Sequence, residues 1–92
     1  MTAPIDPDIR RRRIAFRAWH RGTREMDLIL GRFADVELSR LSAPELDAFE
    51  ALMEHPDPEL YRWVSGEASP PPDADTPFLA RLRSFHKSAG SR

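Results

Sequence analysis

Arg21-Gly22-Thr23-Arg24-Glu25-Met26-Asp27-Leu28-Ile29-Leu30 is the stretch that decides the fold of this chain. One amphipathic segment closes on Trp19-His20, a glycine flanked by arginines follows, and a second amphipathic segment begins at once. From Thr23 to about Glu37 the apolar residues Met26, Ile29, Leu30, Phe33 and Val36 recur at helical spacing. Glu25 and Asp27 stand in the first turns, where the positive end of a helix favours carboxylates. Gly22, which tolerates positive φ without steric cost, therefore marks a tight interhelical turn that displays charge.

Working outward, Asp6 as cap and Pro7 at the first helical position start a helix that runs to about His20, with Ile9, Phe16 and Trp19 expected on its inner face. That orientation puts Arg12 at the core edge, its stem packed and its head in water or beside carboxylates. Downstream, Ser42-Ala43-Pro44-Glu45 forms a capping box, and the helix it opens should bury Leu46, Phe49, Leu52 and Met53. A short helix follows from an Asp57 cap and Pro58 to Ser65, with Leu60, Tyr61 and Val64 inward and Gly66 suited to a left-handed end. Trp19, Tyr61 and Trp63 are the types of residue found more often in the core or at its edge than as ligand platforms, but Trp63, offset from that stripe, is also a candidate for partial exposure at an interface. Residues 65–76, around Pro70-Pro71-Pro72, suggest an extended linker, after which Thr76-Pro77 starts a last helix carrying Phe78, Leu79, Leu82 and Phe85. No period-two pattern persists long enough for a strand. The expectation is an all-α, five-helix bundle, one domain over residues 1–92 with an ordered core of about 6–87 and fraying after Lys87.

At 92 residues the chain can build only one small core. It has no cysteine, hence no disulfide, thiolate nucleophile or cysteine metal cage, which fits the cytoplasm. No apolar run suffices for a membrane span and no secretory signal is evident, so a soluble protein is expected. The net charge of −1 conceals two poles. Arg10, Arg11, Arg12, Arg13, Arg17, Arg21 and Arg24 lie within the first 24 positions, whereas Glu25 to Glu59 holds ten acids against Arg32 and Arg40. His20, His55 and His86 are too dispersed for a zinc pattern, and no nucleophile motif occurs. No Gly-rich strand-to-helix turn is present to cradle a dinucleotide.

For residues 21–27 the bland explanation is a helix end with ordinary surface ion pairs, each contributing only ~0 to 1 kcal/mol. Against it, a glycine between arginines lets a partner approach the backbone while the guanidinium groups bind carboxylates bidentately. The segment resembles the Arg-Gly-x-x-Glu signature of the SdhE family, succinate dehydrogenase assembly factors that promote covalent flavinylation. Arg21, Gly22, Arg24, Glu25 and Asp27 match, continued by the hydrophobic repeat to Phe33, while Thr23 and Met26 stand where the family more often has other apolar residues. Pro58-Glu59-Leu60-Tyr61-Arg62-Trp63-Val64 resembles the family's later acidic-aromatic segment.

The resemblance implies an accessory factor, not an enzyme. It would bind the flavoprotein subunit of succinate dehydrogenase, in some bacteria that of fumarate reductase, and promote the bond between a partner histidine and the FAD it holds. The flavin then belongs to the partner, and this chain holds no cofactor tightly and no metal. The implied partner contacts are Arg21, Gly22, Arg24, Glu25 and Asp27, with Arg17 and Trp63 beside them. Glu25 and Asp27 could equally serve the start of the second helix. The protein is expected to be a monomer when free and not to insert in a membrane. The alternative is a helical binding module or regulator whose arginine-rich first helix contacts nucleic acid or an acidic protein. The acids downstream would repel a phosphate backbone, and no helix-turn-helix pattern accompanies the arginines.

Overall fold

The computed structural model describes residues 6–90, with side chains through residue 88. Five α-helices and one 3-10 turn make up its regular structure, and no strand occurs among the described residues. The all-α expectation holds. The chain divides into two compact units, Met1–Leu41 and Ser42–Arg92.

In the first unit, α1 (Pro7–Trp19) starts where the Asp6 carboxylate accepts the Asp8 N–H at 2.8 Å, with Pro7 at the first helical position. The helix α2 (Arg24–Glu37) starts where the Thr23 hydroxyl accepts the Met26 N–H at 3.3 Å. A 3-10 turn, Leu38–Arg40, follows α2 directly. Its three-residue period puts Leu38 and Leu41 on one side, and both are buried. The two helices form an antiparallel hairpin, in which Trp19 near the end of α1 faces Gly31 and Arg11 near its start faces Leu38 and Leu41.

The inner line of α1 differs from the expected one. Ile14 and Ala18 are fully buried, whereas Ile9 and Phe16 are 45% and 64% exposed. The inward positions Arg11, Ile14 and Ala18 follow helical spacing, and the small Ala18 lets α2 approach where a Phe16 ring would hold it away. Arg11, not Arg12, occupies the core edge. Its Nε donates to the Leu38 carbonyl at 3.1 Å and its Nη2 to the Leu41 carbonyl at 2.8 Å. The Leu38 carbonyl also accepts the Leu41 N–H at 3.2 Å, so Arg11 adds a second donor there and ties the end of the helical segment to α1. On α2, Met26, Ile29, Leu30 and Phe33 are buried as expected, but Val36 is 48% exposed. Val36 sits at the edge of the stripe, and the 3-10 turn gives the inner side to Leu38 instead.

In the second unit, α3 (Ala43–Met53) carries the complete capping box. The Ser42 hydroxyl accepts the Glu45 N–H, the Glu45 carboxylate accepts the Ser42 N–H at 2.8 Å, and Leu46, Phe49, Leu52 and Met53 are buried. The bond from the Ser42 main chain, then that from its side chain, holds the Glu45 carboxyl below the usual glutamate range, and the Arg81 guanidinium adds to the effect. The cap of α4 (Asp57–Ser65) is Pro56, so Asp57 is the first helical residue instead of the cap. Leu60, Trp63 and Val64 are buried at spacing i, i+3, i+4, and Tyr61 is 38% exposed. Tyr61 and Trp63 thus exchange the positions expected of them, because the three buried residues share one helical face and Tyr61 lies off it. Gly66, at φ 86°, closes α4 with its N–H to the Trp63 carbonyl and that of Ala68 to the Arg62 carbonyl.

Between α4 and α5 (Pro77–Gly90), the Ala74 and Asp75 N–H groups both reach the Pro71 carbonyl at 2.9 Å, and Ala74 is buried. The Thr76 hydroxyl accepts the Leu79 N–H, Phe78 packs against Phe49 with centroids 5.3 Å apart, and Leu79 and Leu82 are buried. Phe85 is half-buried. The helix passes Lys87 and continues to Gly90, and residues 91–92 of the expected frayed tail lie outside the described residues. No helix among the described residues is long and apolar enough to cross a membrane.

Candidate functional site

The turn between α1 and α2 is built by local bonds that the sequence supplies in order. His20 ends α1, its N–H donating to the Arg17 carbonyl at 3.3 Å. The Arg21 N–H then donates to Asp27 Oδ1 at 2.6 Å, and the Asp27 N–H donates to the Thr23 carbonyl at 2.9 Å. Asp27 therefore clasps the turn from inside the first turn of α2. Of the two roles that its sequence position allowed, this geometry gives it one in the fold.

Gly22 lies at φ 108°, a backbone conformation that L side chains rarely adopt. A Cβ built there meets no atom within 4 Å. The glycine is thus required by the backbone and not by crowding within this chain. It leaves a bare, exposed stretch of main chain between Arg21, which is half-buried, and Arg24, which is exposed.

The charges around the turn divide by what they do for the helix. Exposed Glu25 and half-buried Asp27 are favourably placed at the positive end of α2. Arg24, in the same first turn, is unfavourably placed there, so the helix dipole does not account for it. Arg17, half-buried in the last turn of α1, has the favourable sign for its position. Arg17, Arg21, Gly22, Arg24, Glu25 and Asp27 therefore come together at one end of the hairpin.

Trp63 does not join them as a surface residue. It is only 5% exposed, its ring meeting the edge of His55 at 5.0 Å. The expectation of a part-exposed contact is corrected, since the α4 face that includes Leu60 and Val64 also takes Trp63 inward.

A second set of residues positions the turn and was not singled out from sequence. The Trp19 indole covers Gly31 so closely that a Cβ at residue 31 would fall within its ring, and its Nε1–H donates to Asp35 Oδ1 at 3.0 Å. A glycine in mid-helix costs ~1 kcal/mol against alanine, which is the signal that could have marked Gly31 as a packing position. Among the described residues no group of three or more His, Asp or Glu side chains could hold a metal ion, and no polar or charged residue is buried. Chemically, the site offers guanidinium donors, an accessible main chain and nearby aromatic surface, the components of a recognition surface.

The protein-family model described as flavinator of succinate dehydrogenase matches residues 12–86. The chain is 44% identical over 73 residues to the FAD assembly factor SdhE of Acetobacter pasteurianus, an overlap covering 79% of this chain and 67% of that protein. It is 37% identical over 71 residues to the mitochondrial succinate dehydrogenase assembly factor 2 of Caenorhabditis elegans, covering 75% of this chain and 60% of that one. Over 50 residues it is 44% identical to the FAD assembly factor SdhE of Legionella pneumophila (strain Lens), covering 54% of this chain and 63% of the relative. The matched region thus spans about two-thirds or less of these relatives' own length.

Proposed function

The chain belongs to the family of flavinators of succinate dehydrogenase, and on that premise we propose that it binds the flavoprotein subunit of that enzyme and promotes covalent attachment of FAD to a partner histidine. Its relatives are named as assembly factors, which supports an accessory role. In this assignment the flavin stays on the partner, and the partner's histidine and the flavin itself supply the reacting atoms. This chain supplies position. Holding a nucleophile and its target in near-attack geometry can remove a large part of a barrier without any acid or base from the helper.

The observation that carries the proposal is the Gly22 backbone, at positive φ with open space where a side chain would project. Arg21 engages a carboxylate or carbonyl near the partner's flavin-linking region, and Arg24 and Glu25 extend that contact. Asp27 holds the Arg21 main chain in place from behind.

Titration of the apo-flavoprotein with this protein tests the assignment. Arg21→Ala should weaken binding about thirtyfold, the ~2 kcal/mol typical of a hot-spot arginine, with little change in thermal stability. An affinity within about twofold of wild type would remove Arg21 from the contact. No binding by the wild-type protein would overturn the proposed partner.

A further inference from the structure

The outer face of α1 carries Ile9, Arg13, Phe16 and His20, spaced so that they form one stripe running down to the Arg21–Gly22 turn. Phe16 is 64% exposed and Ile9 45%. The Phe16 and His20 rings are stacked, 4.0 Å apart at 16°. His20 Nδ1 lies 2.6 Å from the Phe16 carbonyl oxygen, which can only accept, so Nδ1 carries the proton and Nε2 remains for another contact. Two aromatic rings are therefore held in place before any partner arrives, and docking them sacrifices little side-chain freedom. Arg12 and Arg13 are exposed around this stripe, and no acid occurs between Asp8 and Glu25.

We infer that this stripe is a second contact, with the Phe16–His20 pair as its anchor, and that it docks in an apolar recess rimmed by acidic groups on the same flavoprotein subunit. The inference rests on the proposed function, because the stripe leads without interruption into the turn assigned to that partner. Charge selects the occupant. An arginine-framed face without carboxylates is complementary to an acidic surface, and phenylalanine and arginine are both enriched at protein interfaces over the rest of the surface. The fold gives Phe16 little in return for its exposure, since Ile14 and Ala18 already fill the inner side of α1.

The test is titration of the apo-flavoprotein with wild type, Phe16→Ala, Phe16→Tyr and Arg21→Ala, each also melted thermally and sedimented alone at several concentrations. Phe16→Ala should weaken binding tenfold or more with an unchanged or higher melting temperature, and Phe16→Tyr should retain most of the affinity. If Phe16→Ala binds within twofold of wild type while Arg21→Ala is weakened, the stripe is not a contact and the turn assignment stands. If the wild type fails to bind, the proposed function falls and the inference with it. Self-association of the free wild-type protein that Phe16→Ala abolishes would make a second copy the occupant and overturn the inference.

Discussion

Replacing Gly31 with alanine should destabilise this protein, although alanine is the better helix former by ~1 kcal/mol. The new methyl group would meet Cδ2, Cε2 and Cε3 of the Trp19 indole, the last at 2.6 Å, where favourable carbon contacts begin at about 3.5 Å. The ring must therefore retreat by roughly 1 Å. It is not free to do so, because Nε1–H is bonded to Asp35 and Trp19 is the last residue of α1 before the turn. Overpacking of this kind costs about 1–3 kcal/mol, and loss of the indole hydrogen bond about 1 kcal/mol more. Against the propensity gain, the net loss is about 1–3 kcal/mol, a fall in melting temperature of roughly 5–15 °C for a domain of this size. Thermal unfolding followed by circular dichroism measures it. The decisive comparison adds Trp19→Ala, because in that background alanine at residue 31 has room and should stabilise by ~0.5–1 kcal/mol. A Gly31→Ala protein as stable as wild type, or the same effect in both backgrounds, would refute the packing argument.

Arg11→Met should destabilise by about 1–3 kcal/mol through loss of the charged bonds to the Leu38 and Leu41 carbonyls, whereas exposed Arg12→Met should stay within about 0.5 kcal/mol; urea titration distinguishes them. Reversing Arg12 and Arg13 to Glu should slow association with the flavoprotein several-fold at low salt, with the difference shrinking as salt rises, measured by stopped flow. Glu45, whose carboxyl titrates below the usual range, stabilises the fold when ionised. The advantage of wild type over Glu45→Gln should be full above the ordinary glutamate range and disappear as pH falls through the lowered value, which melts across pH 3–7 would detect.

The helices were legible where a single local bond decides each start. Asp6, Thr23, Ser42 and Thr76 each accept a main-chain N–H in the first turn of the helix they open. The turn was legible because glycine alone takes up the positive φ at residue 22 without strain. The direction of α1 was not, since hydrophobicity alone favours Phe16 over Ala18 for the inner side, and the close approach of two helices reverses that order. Arg11 and Arg12 are adjacent members of one arginine run, and only the position of the Leu38 and Leu41 carbonyls selects between them. Tyr61 and Trp63 posed the same problem on a helix of nine residues, where a rotation of the buried face by about a sixth of a turn keeps Leu60 and Val64 inside and exchanges two aromatics. The contact of Trp19 with Gly31 needed the pairing of the hairpin, which neither helix specifies by itself.

For covalent flavin to form, the bare main chain at Gly22 should have to meet the flavoprotein. The measurement is in-gel flavin fluorescence of the denatured flavoprotein after incubation with FAD alone, or with wild-type, Gly22→Ala or Gly22→Arg protein added. A residue with a side chain at φ 108° adds backbone strain of about 1–3 kcal/mol, so each variant is first melted thermally and only folded protein is assayed. Wild type should raise the covalent signal above FAD alone, Gly22→Ala should retain part of that gain, and Gly22→Arg should abolish it. Undiminished fluorescence with folded Gly22→Arg, or no gain from the wild-type protein, would contradict the account.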